Sequence, residues 1–373
     1  MAPVRVLQVL TCDALGGTEL MVATLVERLD RSKVEVSVAT LAPPGPIAKR
    51  LGRSGVRVRS LGGCGLSVAF ARLGRILHRE RFDVVNAYGF KGTAVARVLV
   101  QTLSPGTRFV SGVRGLHVAE LEDIQGFKSR ALLALERLGS PLVDAYDANS
   151  RGALELLAEK GVDRRRMHYI PNGIDIEGWP DVSAQGPRRG RPNILCVARF
   201  VPLKRHVDLL DAAGRLARAG REFRLVLAGG GPTLTQAMDQ AARLGLDEDV
   251  VAFHGPASPE RVRELAAQAH LFCLPSLWEG MAGSVMEAMA SGLAVVGTDV
   301  NGIAELVDHE RTGLLVPARR PDLLADGLSR LIGDPVLAAR LGAAGRARIR
   351  DQFGVDGMVE AKERLLVALA GGT

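Results

Sequence analysis

The sequence predicts an α/β protein of two consecutive domains, each built on a parallel sheet. Three observations predict it. The chain has 373 residues, too many for one ordinary core and suited to two at about 100 to 200 residues each. Its residues are 47% hydrophobic but only 4% aromatic, with alanine, leucine, valine and glycine abundant, a composition that suits buried parallel strands. Short apolar runs alternate with helix-length stretches along most of the chain, the mark of repeated βαβ units.

In the first half the apolar runs are Val4 to Leu10, Val34 to Thr40, Val56 to Leu61, Val84 to Ala87, Phe109 to Val113, Ala145 to Asn149 and His168 to Ile170. Their helix-length spacing predicts a Rossmann-like domain. The first run is interrupted by Arg5 and Gln8 and is too short to cross a bilayer, so it reads as a strand and not as a signal or membrane segment. After Pro171-Asn172-Gly173-Ile174-Asp175 comes a stretch from Trp179 to Pro192, rich in proline, glycine, serine and arginine. It lacks apolar periodicity and reads as the connection between domains 1–178 and 179–373. A second series follows: Asn193 to Ala198, Phe223 to Ala228, Val250 to Phe253, Leu271 to Leu274, Ala294 to Gly297 and Gly313 to Val316. Met358 to Leu369 is an amphipathic helix that needs a partner for its apolar face.

The formal charge is +7 and the pI about 9.6, which favours acidic partners such as nucleoside diphosphates or anionic lipid head groups. Nucleic acid is disfavoured, because the chain carries no aromatic RNA-binding signature, zinc finger or helix-turn-helix. Cys12, Cys64, Cys196 and Cys273 are scattered without C-x-x-C pairs or histidines at metal-ligand spacing. A reduced, cytoplasmic chain without a resident metal or cofactor is expected.

The residues that point to chemistry lie where strands give way to helices, since ligands of doubly wound sheets bind beyond the carboxyl ends of strands. Gly16-Gly17-Thr18-Glu19 follows the first strand; a tight turn explains the two glycines as well as a phosphate site does. Arg199 and Lys204 follow the strand ending at Ala198, and two fixed cations there can neutralise a diphosphate. Glu279 and Glu287 stand eight residues apart in Leu277-Trp-Glu-Gly-Met-Ala-Gly-Ser-Val-Met-Glu287. Glu279 lies on a glycine-punctuated loop. Glu287 also completes a Ser284-x-x-Glu287 capping box, which could by itself begin a helix. Asp247-Glu248-Asp249 has the D-x-D form of a metal site, but its place before a strand fits a solvated turn.

The stretch around Glu279 and Glu287 closely resembles the E-x7-E signature of family-four retaining glycosyltransferases. Val197-Ala-Arg-Phe-Val-Pro-Leu-Lys204, Gly229-Gly-Gly-Pro232, Phe253-His-Gly-Pro-Ala257 and Val300-Asn-Gly-Ile-Ala-Glu305 resemble other segments of the same family, in the same order. The resemblance implies a GT-B fold, two Rossmann-like domains with parallel sheets facing across a cleft, the last helix (about 355–370) returning to the first domain. It implies an N-terminal acceptor-binding domain and a C-terminal nucleotide-sugar domain. It further implies that Gly16, Gly17 and Glu19 border the donor phosphates, that Arg199 and Lys204 clamp the diphosphate, and that Ala257 borders the nucleobase. Glu279, with Met281, Ala282 and Gly283, would meet the donor sugar, and Glu287 the ribose.

At the end of the fifth strand Arg114 stands where many relatives place a histidine, with His117 three residues later; either could take the positioning role. The implied activity is metal-independent, retaining transfer of a hexose or N-acetylhexosamine from a nucleoside diphosphate sugar, UDP first and GDP second, to a glycan or lipid-linked glycan. Phe127 to Val143, basic and amphipathic, reads first as a fold helix whose apolar face is needed for packing and second as a peripheral contact with an anionic membrane. A sugar phosphorylase, a nucleotide-sugar epimerase and a non-catalytic partner in a glycan assembly complex are the rival readings.

Overall fold

The structure, a computed structural model, describes residues 2–14, 16–63, 65–115, 139–188 and 190–371. The chain divides into two units, residues 1–173 with 355–373 and residues 174–354.

In unit 1, seven parallel strands form a sheet in the order β3-β2-β1-β4-β5-β6-β7. They are β1 (Val4–Leu10), β2 (Val34–Thr40), β3 (Arg57–Ser60), β4 (Val84–Tyr88), β5 (Arg108–Val113), β6 (Ala145–Ala148) and β7 (Met167–Tyr169). The helices are α1 (Gly17–Arg28), α2 (Pro46–Arg53), α3 (Leu66–Arg79), α4 (Phe90–Leu103) and α5 (Arg151–Glu159). Alternate strand residues feed two cores, as the two-residue pleat requires. Val6 and Leu10 of β1 pack with α1 and α2, whereas Leu7 and Val9 pack toward α3 and α4.

α2 is capped from a distance: the Asp13 carboxylate accepts the backbone N–H groups of Gly45 at 2.8 Å and Ile47 at 2.7 Å. That satisfies donors that would otherwise be left open at a helix start.

Unit 2 carries six parallel strands in the order β10-β9-β8-β11-β12-β13: β8 (Asn193–Val197), β9 (Arg224–Ala228), β10 (Val251–Gly255), β11 (Leu271–Leu274), β12 (Ala294–Thr298) and β13 (Gly313–Val316). Its helices are α6 (His206–Arg218), α7 (Leu234–Arg243), α8 (Pro259–Gln268), α9 (Gly283–Ala290), α10 (Asn301–Ala304), α11 (Pro321–Gly333) and α12 (Pro335–Gln352). Four-residue β11 is wholly buried, as a central parallel strand covered on both faces should be.

The stretch 179–192 is not a free connection. Trp179 and Val182 are buried in the unit 2 core, and Val182 N–H donates to the Ser291 carbonyl at 3.0 Å. The chain passes between units at residues 173 and 174 instead, five residues earlier than composition implies.

The final helix, α13 (Val355–Gly371), belongs to unit 1. Its apolar residues Val355, Met358, Val359, Leu365 and Leu366 join the core of β1 and α1. Among the described residues no helix is long and apolar enough to cross a membrane. His117 and most of the basic stretch 127–143 lie outside the described residues.

Candidate functional site

In each sheet the strand order reverses once, between β1 and β4 in unit 1 and between β8 and β11 in unit 2. Such switch points leave a crevice beyond the strand ends. In unit 2 the segment after β8 carries Arg199 and Lys204, and the segment after β11 carries Glu279, so these three residues flank the reversal.

The two segments are joined directly. Leu277 N–H donates to the Leu203 carbonyl at 2.9 Å, and the Lys204 ammonium pairs with Oε1 of Glu279. Ser276, fully buried, donates its hydroxyl to the same carboxylate oxygen at 2.6 Å. Glu279 is 8% exposed, so its charge is tolerated through these two partners. Arg199 is exposed and makes no ion pair among the described residues. Its fork remains open for an anion.

Glycines let the backbone close around this pair. Gly229 and Gly231 have φ of 150° and 153°, and a Cβ on either would collide with the backbone of Ala198 or Phe200, which flank Arg199. A Cβ on Gly302 would collide with the Gly280 and Glu279 carbonyls. Gly302 N–H donates to the Glu279 carbonyl at 3.2 Å, so α10 fixes the loop that presents the carboxylate. Arg205, next to Lys204, is held at φ 49° and pairs with Asp208 at 2.6 Å.

Beneath the loop the ring of His206 stacks on Phe200, centroids 3.9 Å apart. Burial, with the Lys204 charge adding to it, lowers the His206 imidazole to about 4. The Cys196 thiol, buried below Lys204 and Glu279, is pushed up to about 12 by burial, against the opposing pull of Lys204. Neither group is poised for proton transfer at neutral pH.

Met281 and Ala282 are buried, and exposed Gly283 opens α9. Ala282 is the N-cap, and no side chain caps the helix. Ser284 therefore lies inside α9, and the capping-box reading of Ser284 and Glu287 is wrong: the helix starts two residues too early for it.

Glu287, a turn further along, is only partly exposed and borders a small pocket with Trp179, Leu195, Val197, Val262, Ala266 and Phe272. That apolar lining pushes its carboxyl up to about 7, although the nearby Arg263 charge opposes the rise. Ala257, half-buried, follows β10 on a loop whose Pro256 lies against Gly230. The D-x-D segment sits at the opposite end of the sheet: Asp247 receives the Val250 N–H at 3.1 Å in the turn before β10.

In unit 1, Gly16 is the N-cap of α1 and Gly17 its first residue. Glu19 curls back over Gly16 and receives the Cys12 thiol hydrogen bond at 2.6 Å. Arg114, beyond β5, is taken up by Asp147 of β6. Its guanidinium lies 2.8 Å from Asp147 Oδ1 and donates to the Asp147 carbonyl at 2.9 Å. Lys362 of α13 pairs with the other carboxylate oxygen. Asp147, Lys362 and Ser276 were not singled out from the sequence. The signals existed: Asp147 interrupts a buried strand, and Lys362 falls on the apolar stripe of its helix.

Residues 15–177 match the family model described as Glycosyltransferase Family 4, and residues 180–348 the one described as Glycosyl transferases group 1. The putative glycosyltransferase EpsF of Bacillus subtilis is 31% identical over 319 residues, covering 82% of this chain and 81% of that protein. The chain is a family-four glycosyltransferase.

A second relative of this glycosyltransferase is the GDP-mannose-dependent alpha-(1-6)-phosphatidylinositol monomannoside mannosyltransferase of Mycobacterium tuberculosis. It is 31% identical over 201 residues, about half of each chain (50% and 52%). In fold the glycosyltransferase is similar to Anabaena HepE, solved in complex with UDP and glucose, with a TM-score of 0.84 at 20% identity, covering 98% of this chain and 100% of that one. Its two Rossmann-like units with parallel sheets are those of the GT-B class.

Proposed function

We propose that this glycosyltransferase moves a hexose or N-acetylhexosamine, with retention, from a nucleoside diphosphate sugar to a glycan or lipid-linked glycan acceptor in cell-surface polysaccharide or glycolipid synthesis. UDP is the first candidate nucleotide and GDP the second. The observation that carries the reading is the Lys204–Glu279 pair beside the open fork of Arg199, at the switch point of the unit 2 sheet.

In the transfer the C1–oxygen bond to the diphosphate breaks with its electron pair leaving on the diphosphate. The acceptor oxygen bonds to C1 and its proton passes to a donor phosphate oxygen. Arg199 by its fork and Lys204 as a point charge stabilise the leaving diphosphate, which lets Lys204 turn from its partner. Glu279, released from Lys204, orients the sugar hydroxyls and faces the positive charge developing at C1. Glu287 receives the ribose hydroxyls, and the backbone near Ala257 borders the base. The cations supply what a divalent metal would, so no metal or other cofactor is needed. The enzyme works in the cytoplasm, with peripheral contact to the inner face of the membrane where the acceptor is lipid-linked.

Calorimetric titration with UDP, GDP and ADP in EDTA tests the donor side. One diphosphate binds selectively, and Lys204→Ala weakens it by about tenfold or more, the worth of one charge-assisted contact. Lack of binding to all three, or binding that requires manganese, refutes the reading. Flotation with anionic vesicles tests the membrane contact.

A further inference from the structure

Unit 1 holds a buried polar cluster that its fold does not require. Asp147 and Lys362 are fully buried and the Arg114 side chain is 5% exposed. Gln8 and Asn86, opposite one another in the β1–β4 register, are also fully buried. Tyr88 donates its hydroxyl to Asn86 Oδ1 at 2.8 Å, and both cations lie over its ring, Arg114 at 5.4 Å and Lys362 at 5.8 Å from the centroid.

The cluster is under-satisfied. Both amide atoms of Gln8, Nε of Arg114, Oδ1 of Asp147 and Oδ1 of nearby Asn149 lack hydrogen-bond partners, so Asp147 Oδ1 meets Arg114 as a charge and not through a hydrogen bond, and each such buried group costs about 1–3 kcal/mol. A buried ion pair is itself weak support for a fold, since apolar residues of similar volume are often as stabilising. Stability therefore does not account for two cations and one carboxylate here. Their location does bear on the reaction: Arg114 follows Val113, the last residue of β5, at the ligand-binding end of the sheet.

The carboxylate has two faces in use. Oδ1 is turned to the Arg114 guanidinium and Oδ2 to the Lys362 ammonium. With Lys362 removed, Asp147 can rotate its carboxylate away, and the guanidinium keeps only its backbone acceptors, the Asp147 carbonyl at 2.9 Å and the Val113 carbonyl at 3.3 Å. Lys362 comes from α13, 215 residues away in sequence from Asp147, so the C-terminal helix reaches the carboxylate that pairs with the residue following β5.

We propose that Lys362 is a positioning residue for glycosyl transfer: by holding Oδ2 of Asp147 it keeps Oδ1 on Arg114 and so sets the guanidinium at the end of β5 for the transition state. The proposal rests on the glycosyltransferase reading and is independent of which nucleotide carries the sugar.

The test measures initial rates of nucleoside diphosphate release from UDP-glucose, then UDP-N-acetylglucosamine and GDP-mannose, for the full chain and its variants. Lys362→Met lowers kcat by about tenfold or more while donor KM stays within about threefold, the pattern of an interaction made only in the transition state. Its thermal midpoint stays within a few degrees of the parent. In an Arg114→Met background the same substitution produces no further drop, because its effect passes through Arg114. Asp147→Asn, close in size and shape, carries the comparison if Lys362→Met fails to fold, and lowers kcat by at least as much. A parent-like kcat in Lys362→Met or Asp147→Asn, or a Lys362→Met deficit undiminished in the Arg114→Met background, overturns the positioning role alone. A parent chain that turns over none of the sugar nucleotides overturns the transfer reading, and this role with it.

Discussion

Replacing Glu287 by glutamine should change how the stability of unit 2 depends on pH, by an amount set by the carboxyl's surroundings. The apolar pocket of Trp179, Leu195, Val197, Val262, Ala266 and Phe272 raises the group from 4.5 to about 7. In the unfolded chain the carboxyl ionises near 4.5; in the folded chain it keeps its proton until near 7. The folded state therefore binds more protons between those values. The stability this contributes is complete below 4.5 and lost as pH rises through 7. Each tenfold change in the ionisation constant is worth about 1.36 kcal/mol, so the loss is on the order of 3 kcal/mol. Glutamine mimics the protonated form and has nothing to lose. The assay is urea unfolding followed by tryptophan fluorescence from pH 4.5 to 8. Both tryptophans, Trp179 and Trp278, lie in unit 2, so the signal reports the unit that contains the substitution. The parent and Glu287→Gln should agree near pH 4.5, and the variant should be more stable by about 3 kcal/mol at pH 8. A difference between the two proteins that does not change with pH would refute the argument, because the carboxyl would then ionise as it does in water.

His206 should give the opposite slope. Its folded value of about 4 lies below the ordinary 6.5, so its contribution is present above 6.5 and is lost as pH falls toward 4, again on the order of 3 kcal/mol. His206→Phe should flatten the acid limb of the same unfolding series; an unchanged limb counts against it. Gly302→Ala drives a methyl into the Gly280 and Glu279 carbonyls and should destabilise unit 2 by about 1–3 kcal/mol, checked by urea midpoint, with a loss of turnover as the 279–282 loop shifts. Glu279→Gln keeps the shape of the loop but removes the charge opposite Lys204, and kcat should fall by about a hundredfold with diphosphate binding retained; kcat equal to the parent's would show that the carboxylate does not act on the sugar.

Much of this architecture could be read from the chain because parallel strands buried on both faces announce themselves as apolar runs. The runs 4–10, 34–40, 271–274 and 313–316 coincide with strands to the residue. Lys204 and Glu279 were legible as residues of a motif, though their mutual pairing was not, since it depends on two loops meeting. The stretch 179–192 misled because proline and glycine report an irregular local path, whereas the burial of Trp179 depends on what the path meets. Ser284-x-x-Glu287 misled differently: the pattern fits a helix start, but Ala282 and Gly283 already adopt one. Lys362 was visible as a charge on an apolar stripe. Its partner was not, because nothing local links it to Asp147.

The return of α13 to unit 1 makes residues 174–354 an insertion within a discontinuous unit. During synthesis the inserted unit has all its strands available before the earlier one has its last helix, so the unit begun first is the one completed last. Until α13 is made, Val6, Leu10 and Asp147 lack the cover that this helix gives, and a nascent chain stalled near residue 354 would expose an open apolar face on its oldest part.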